Sequence, residues 1–338
     1  MFQLLMLAAV IGAARTQPID TIRTQRTDTT GLYRIVATRN GRVIYAHSFN
    51  GHPDTALCNN QSLTKSVVSL LIGIAIGKKY IPSIDEPITT YFPELNNDSD
   101  PRKRRIKIRD IMNQASGLWH ENLETPNGIP DYLKLDDQTK YVLDQPMLSD
   151  PGAVFHYNNA ATHLLSAILT KATRQSTLAF AQAYLFGPLH IKNVQWDKMK
   201  DGYYDGCGLL SLHLTTDDMN RIGTLLLTQG EFEHRQVVPK AWIDQIVHPT
   251  QTYPTPWGFQ GSRYALCYYH YTYENDSLTY GLGWGGQFLV TDPPKGLVVT
   301  VNQDPNSPRA LQQSIDFTQH GWEELYKKLI FKSKKALE

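Results

Sequence analysis

The chain has 338 residues, with 33 Lys and Arg against 32 Asp and Glu, and a formal net charge of +1. That length calls for one large domain or two joined lobes, and the balanced charge excludes the basic face with which nucleic-acid binders neutralise phosphates. No His-Glu-x-x-His or similar ligand cluster occurs among the 11 histidines, and Cys58, Cys207 and Cys267 match no zinc or redox spacing; no metal or cofactor is expected, and the thiols are expected reduced and buried.

In chain order, Phe2 to Ala14 is apolar apart from Gln3 and ends in Gly12-Ala13-Ala14. This reads as a secretory signal or N-terminal anchor over residues 1–17, which implies export to the periplasm or beyond and allows loose membrane association. It is short of the roughly 20 residues of a spanning helix. A single catalytic domain is expected over 25–335. Leu32 to Thr38 and Val43 to Ala46 flank Asn40-Gly41, a hairpin signal. Ser62 to Gly77 is apolar on nearly every face beyond its first turn, the mark of a buried helix. The basic run Arg102 to Arg105 reads as a solvated turn. Helices are expected over Ile106 to Met112, Thr139 to Asp144, Ala160 to Thr173, Thr177 to Leu185 and Thr216 to Thr228. Strands follow at Tyr264 to Tyr273, Gly281 to Thr291 and Gly296 to Asn302, then a helix over Leu311 to Phe331. The pattern predicts an α/β plus all-α fold: an antiparallel sheet built from both termini, flanked by helices, with a helical lobe inserted over about 85–228.

Three segments carry candidate chemistry. Ser62 and Lys65 stand one helical turn apart on one face. The buried character of their helix should depress Lys65 towards its neutral, proton-accepting form, and the helix start offers an unpaired backbone N–H to an oxyanion. Tyr157-Asn158-Asn159 precedes an Ala- and Leu-rich helix; the pair fits a cleft, though taken by itself it reads rather as a packed Tyr and a helix-capping Asn. Gly281-Leu282-Gly283-Trp284-Gly285-Gly286-Gln287 fits a bulge or a close approach of backbone to ligand. It lacks the following helix that a phosphate site needs.

These three motifs, in this order, resemble those of the serine β-lactamase and penicillin-binding superfamily, above all its class C branch with the related esterases, D-aminopeptidases and nylon-oligomer hydrolases. Ser83 to Pro87, Tyr91 to Leu95, Ile108 to Leu118 and Gly206 to Ser211 share the likeness, which runs from about Leu32 to about Asn302. The resemblance implies a β-lactamase/transpeptidase-like fold and an acyl-enzyme formed on Ser62, with Lys65 sharing its proton. It implies Tyr157 as acid and base for the leaving group and the deacylating water, and Asn159 as the holder of Lys65 and a substrate amide or carbonyl. The backbone N–H groups of Ser62 and Gln287 would form the oxyanion hole. Penicillin-directed members carry Lys-Thr-Gly where this chain has Trp284-Gly285-Gly286. A neutral or hydrophobic acyl group is therefore expected against Trp284, Gly285, Gly286 and Trp119. Trp119, His120 and Tyr132 read equally as a second aromatic wall or as packing, and His156 as structural, directed away from Tyr157. The expected function is a serine hydrolase acting on a small-molecule or short-peptide ester or amide. The alternatives are a β-lactamase or D,D-peptidase that uses Arg263 or Lys295 as its cation, and an acyl-binding sensor without turnover.

Overall fold

Asn40 and Gly41 both adopt positive φ, 46° and 74°, the geometry of a tight hairpin turn. They join β1 (Leu32–Arg39) to β2 (Arg42–Ser48). This computed structural model describes residues 31–335 apart from Glu124 and Pro126, and the apolar leader expected at residues 1–17 lies outside them. The remaining strands of the main sheet come late: β3 (Tyr253–Pro254), β4 (Arg263–Ala265), β5 (Tyr268–Tyr273), β6 (Asp276–Gly283), β7 (Gln287–Asp292) and β8 (Leu297–Gln303). Their order is β2-β1-β8-β7-β6-β5-β4-β3, antiparallel throughout. The sheet is thus built from both ends of the chain, as expected.

Two expected strands are each a hairpin. Tyr264 to Tyr273 is broken at Leu266 and Cys267, which take φ 51° and 67°. Their N–H groups donate to Asn113 Oδ1 and Met112 O at 2.9 Å each, so tertiary bonds hold a turn that the residue types do not favour. Gly281 to Thr291 is broken at Trp284-Gly285-Gly286, where both glycines have positive φ.

Between β2 and β3 lie α1 (Leu63–Gly77), α2 (Ile108–Met112), α3 (Gly128–Lys134), α4 (Gln138–Leu143), α5 (Asn159–Thr173), α6 (Thr177–Ala181), α7 (Thr216–Leu227) and α8 (Lys240–Val247). The chain closes with α9 (Ala310–Asp316), a π turn over Phe317–Gly321 and α10 (Trp322–Lys335) in place of one uniform helix. Helices α3 and α8 were not expected; α3 starts on Gly128 with Pro130 in its first turn, a composition that reads as loop. Alternate residues of β7 and β8 face opposite layers. Phe288, Val290 and Val299 pack with Phe317, Trp322 and Tyr326, whereas Leu289 and Val298 join the core around α1 and α7. Asn220 fastens α7 to the sheet by donating to Val36 O, Val298 O and Thr300 Oγ1. Helix α5 packs against α1, α2, α4 and α6, so the start of α5 and the start of α1 are held in one rigid group.

The basic run forms the expected turn, but not a solvated one at Lys103. That side chain is buried, with Nζ on Asp98 Oδ2 at 2.8 Å and Leu143 O at 2.7 Å. Cys58, Cys207 and Cys267 are buried and unbridged. Among the described residues no helix is long and apolar enough to cross a membrane.

Candidate active site

Ser62 occupies the first position before α1 with helical angles (φ −64°, ψ −9°), and its hydroxyl makes no cap bond. Gln61 before it is forced to φ +49°, a conformation that costs a non-glycine residue about 1 kcal/mol or more. Two glycines let other backbone segments close on this point. A Cβ on Gly208 (φ +90°) would strike Gln61 O and lie 2.9 Å from Ser62 N, and one on Gly283 would lie 2.6 Å from Asn60 O. The loop around Gly208 and the end of β6 therefore approach Ser62 more closely than any side chain permits.

Lys65 is 1% exposed. Its Nζ donates to Ser62 Oγ at 3.0 Å, to Asn159 Oδ1 at 2.7 Å and to the carbonyl of Cys207. Asn159 Oδ1 and Cys207 O can only accept, whereas a hydroxyl can accept or donate. When the ammonium loses one proton, two N–H groups remain for the two obligate acceptors and the lone pair faces Ser62. Burial pulls the ammonium down, as the sequence led us to expect, but Tyr157, Cys207 and Asp205 outweigh it. The net displacement is upward, which corrects the expectation of a depressed lysine. Lys65 also lies 4.9 Å from the centre of the Tyr157 ring, which stands edge-on to Tyr264 at 6.2 Å. Burial, followed by the nearby Tyr157, pushes the phenol of Tyr269 well up.

The capping alternative for the second motif is resolved by dividing it between neighbours. Asn158 Oδ1 accepts from Ala161 N–H at 2.7 Å and caps α5, while Asn159 reaches Lys65. Beyond Asn159 lies a residue that sequence reasoning missed. Glu121 accepts from Asn159 Nδ2 at 2.6 Å and from Ala160 N–H at 2.7 Å, and burial pushes its carboxyl up. Asp205, also missed, is fully buried and gathers the N–H groups of Cys207, Gly208, Leu210 and Ser211 at 2.7 to 3.0 Å. Burial alone would raise its carboxyl; these donors and the Cys207 thiol hold it below its usual value. Asp205 thus folds the loop that presents Cys207 O to Lys65. An Asp immediately before Gly206-Cys207-Gly208 was the available signal, since Asp favours such local N–H bonds.

The third motif is clamped by buried amides. Gln287 Oε1 accepts from Asn302 Nδ2 at 2.9 Å and its Nε2 donates to Gln303 O at 2.8 Å. Gln303 and Gln313 donate to the carbonyls of Gly286 and Gly285. Gln287 pairs with Gly283, which abuts Asn60, so it sits at the end of the sheet nearest Ser62. Trp284 is 52% exposed, with Nε1 donating to Pro305 O at 3.2 Å.

Trp119 is partly buried and edge-on to Tyr141 at 5.9 Å, and Tyr132 is a buried packing residue. His156 stacks on exposed His120 at 3.5 Å and donates its N–H to Gln114 O. Both rival cations have partners of their own. Lys295 pairs with Asp276 at 2.7 Å beyond the far end of β7, about 17 Å along the strand from Gln287. Arg263 directs its guanidinium to Thr252.

A 135-residue stretch, 40% of this chain, is 21% identical to Protein flp of Staphylococcus aureus and spans only 27% of that relative. Over 91% of this chain and 80% of the other, the fold is similar to a Bacillus anthracis protein assigned as a 6-aminohexanoate-dimer hydrolase (TM-score 0.72, 19% identity). A D-stereospecific amidohydrolase from Streptomyces sp. matches with TM-score 0.64 and 14% identity, over 85% of this chain and 93% of that one. Likeness at these identities establishes the architecture. The Beta-lactamase family model matches residues 19–315, and the chain belongs to that family.

Proposed function

We propose that the protein is a serine hydrolase that cleaves a carboxylic ester or amide of neutral or apolar acyl type through a covalent intermediate on Ser62. The observation that carries this reading is the buried Lys65, which donates to the Ser62 hydroxyl while Asn159 Oδ1 and Cys207 O, able only to accept, take its other N–H groups and Tyr157 stands beside it. Ser62 Oγ attacks the acyl carbon as its proton passes to the Lys65–Tyr157 pair. The bond to the leaving group breaks as Tyr157 returns a proton to it, and water repeats the sequence in reverse. The backbone N–H groups of Ser62 and Gln287 hold the oxyanion. The preference for an uncharged acyl group is supported by the exposed Trp284 in the third motif and by the engagement of Arg263 and Lys295 elsewhere. The assigned activities of the two structural neighbours, on an amide-linked dimer and on D-configured amides, support an ester or amide bond as the target.

A fluorophosphonate probe should label the wild type and spare Ser62→Ala; equal labelling would refute the nucleophile. A panel of p-nitrophenyl esters, D-amino-acid amides and a chromogenic cephalosporin then ranks the substrates. Cephalosporin turnover matching that of the esters would favour a β-lactamase instead, and an acyl adduct persisting for hours in mass spectra a sensor.

A further inference from the structure

Glu121 belongs to none of the three motifs, yet both of its oxygens are committed. Oε1 accepts from Asn159 Nδ2 and Oε2 from Ala160 N–H, at 2.6 and 2.7 Å. Each oxygen receives an N–H, so the ionised carboxylate is the form that fits; a protonated acid would direct its O–H at a donor. Other bonds already zip the same loop to the same segment. His156 N–H donates to Gln114 O and Asn158 N–H to Gln114 Oε1, both at 2.7 Å, and Asn158 Nδ2 donates to Trp119 O at 2.9 Å. The segment is held without Glu121. What Glu121 adds is polarity.

A side-chain amide has two ends of similar shape and opposite hydrogen-bonding sense. With Oδ1 towards Lys65, the lone pair of the amine form faces Ser62. With the amide turned over, Nδ2 would donate into that lone pair and leave a lysine N–H on the hydroxyl, a state without a base. Turning over would also set Oδ1 against the Glu121 oxygen, acceptor to acceptor. The carboxylate therefore forbids the unproductive orientation, and its charge stands one amide away from the ammonium.

We propose that Glu121 is a positioning residue of this site: its carboxylate fixes which end of the Asn159 amide faces Lys65 and holds positive charge on that lysine across the amide. The proposal rests on Ser62 and Lys65 acting as the acyl-transfer pair.

The test is the rate of fluorophosphonate labelling of the purified full chain as a function of pH, with Ser62→Ala as the blank. Wild-type labelling should rise with pH through one midpoint, set by loss of a proton from Lys65. Glu121→Gln should slow labelling on the order of ten- to hundred-fold and move the midpoint down by about one pH unit, because removing an anion eases loss of the proton. Glu121→Asp, which keeps the charge, should return the midpoint towards the wild type. A fall by one factor at every pH, with the midpoint unmoved, would leave Glu121 a helix cap and overturn the proposal. Should Glu121→Gln fail to fold, Asn159→Ala carries the test: labelling like the wild type at every pH would make the amide irrelevant. Failure of the wild type to label at all would count against the Ser62 reading and remove this proposal with it.

Discussion

The Nζ of Lys65 lies 3.0 Å from Ser62 Oγ, a hydroxyl able to return a proton, whereas Asn159 Oδ1 and Cys207 O can only accept. Charge alone would not satisfy this arrangement. Lys65→Arg keeps the cation but cannot be deprotonated, so it should lose ester hydrolysis as fully as Lys65→Met, by a factor of about 1,000 or more. Steady-state kinetics on p-nitrophenyl acetate decide it. An active Lys65→Arg enzyme would show that Lys65 serves only as a charge.

Asp205 makes a second prediction. Asp205→Asn would turn an N–H towards the buried amides of Leu210 and Ser211, leaving donors unmatched. The cost should be about 2–4 kcal/mol in urea unfolding, and activity should fall further because Cys207 O would no longer be held against Lys65. Full stability in this variant would contradict the role of the loop.

The third concerns Trp284. If its exposed ring covers the acyl chain, Trp284→Ala should raise KM for p-nitrophenyl hexanoate roughly tenfold and leave the acetate ester little changed. Trp284→Lys should favour substrates that carry a carboxylate. An equal change for both ester lengths would remove the tryptophan from the acyl site.

How much of this was open to sequence reasoning depends on whether the determinants were local. The Asn40-Gly41 turn and the all-apolar α1 were legible because their signals lie within the residues concerned. Tyr157 and Asn159 could be named from a motif. Glu121 could not, since it acquires its role by meeting Asn159, 38 residues away, whereas the bonds of Asp205 are local and only their presentation of Cys207 O to Lys65 was out of reach. The Leu266-Cys267 turn escaped for a related reason: Met112 and Asn113 impose positive φ on residues whose own preferences oppose it. Lys103 escaped because its partner Leu143 O lies on another helix.

The fourth prediction is a pH dependence. Burial pushes the His270 imidazole down to about 4, and its Nε2 has no hydrogen-bond partner among the described residues. A histidine lowered in the folded state disfavours folding once the unfolded chain can take up the proton. Unfolding free energy should therefore fall as pH drops from about 6.5 towards 4, with a slope of up to about 1.4 kcal/mol per pH unit. Chemical denaturation at several pH values should show this slope, and His270→Phe should flatten it; an unchanged slope would place the lost stability elsewhere.

The strand order has a consequence for synthesis. Ile35 in β1 pairs with Val301 in β8, 266 residues later, so the ribosome must deliver every residue between them before β1 acquires its inner neighbour. Until then the hairpin of β1 and β2 can only wait, with an apolar edge open to other nascent chains. The helices that carry Ser62, Lys65 and Asn159 emerge well before β7, which brings Gln287 to them. The candidate catalytic apparatus is therefore completed only once β7 has been made, long after the helix that carries its nucleophile.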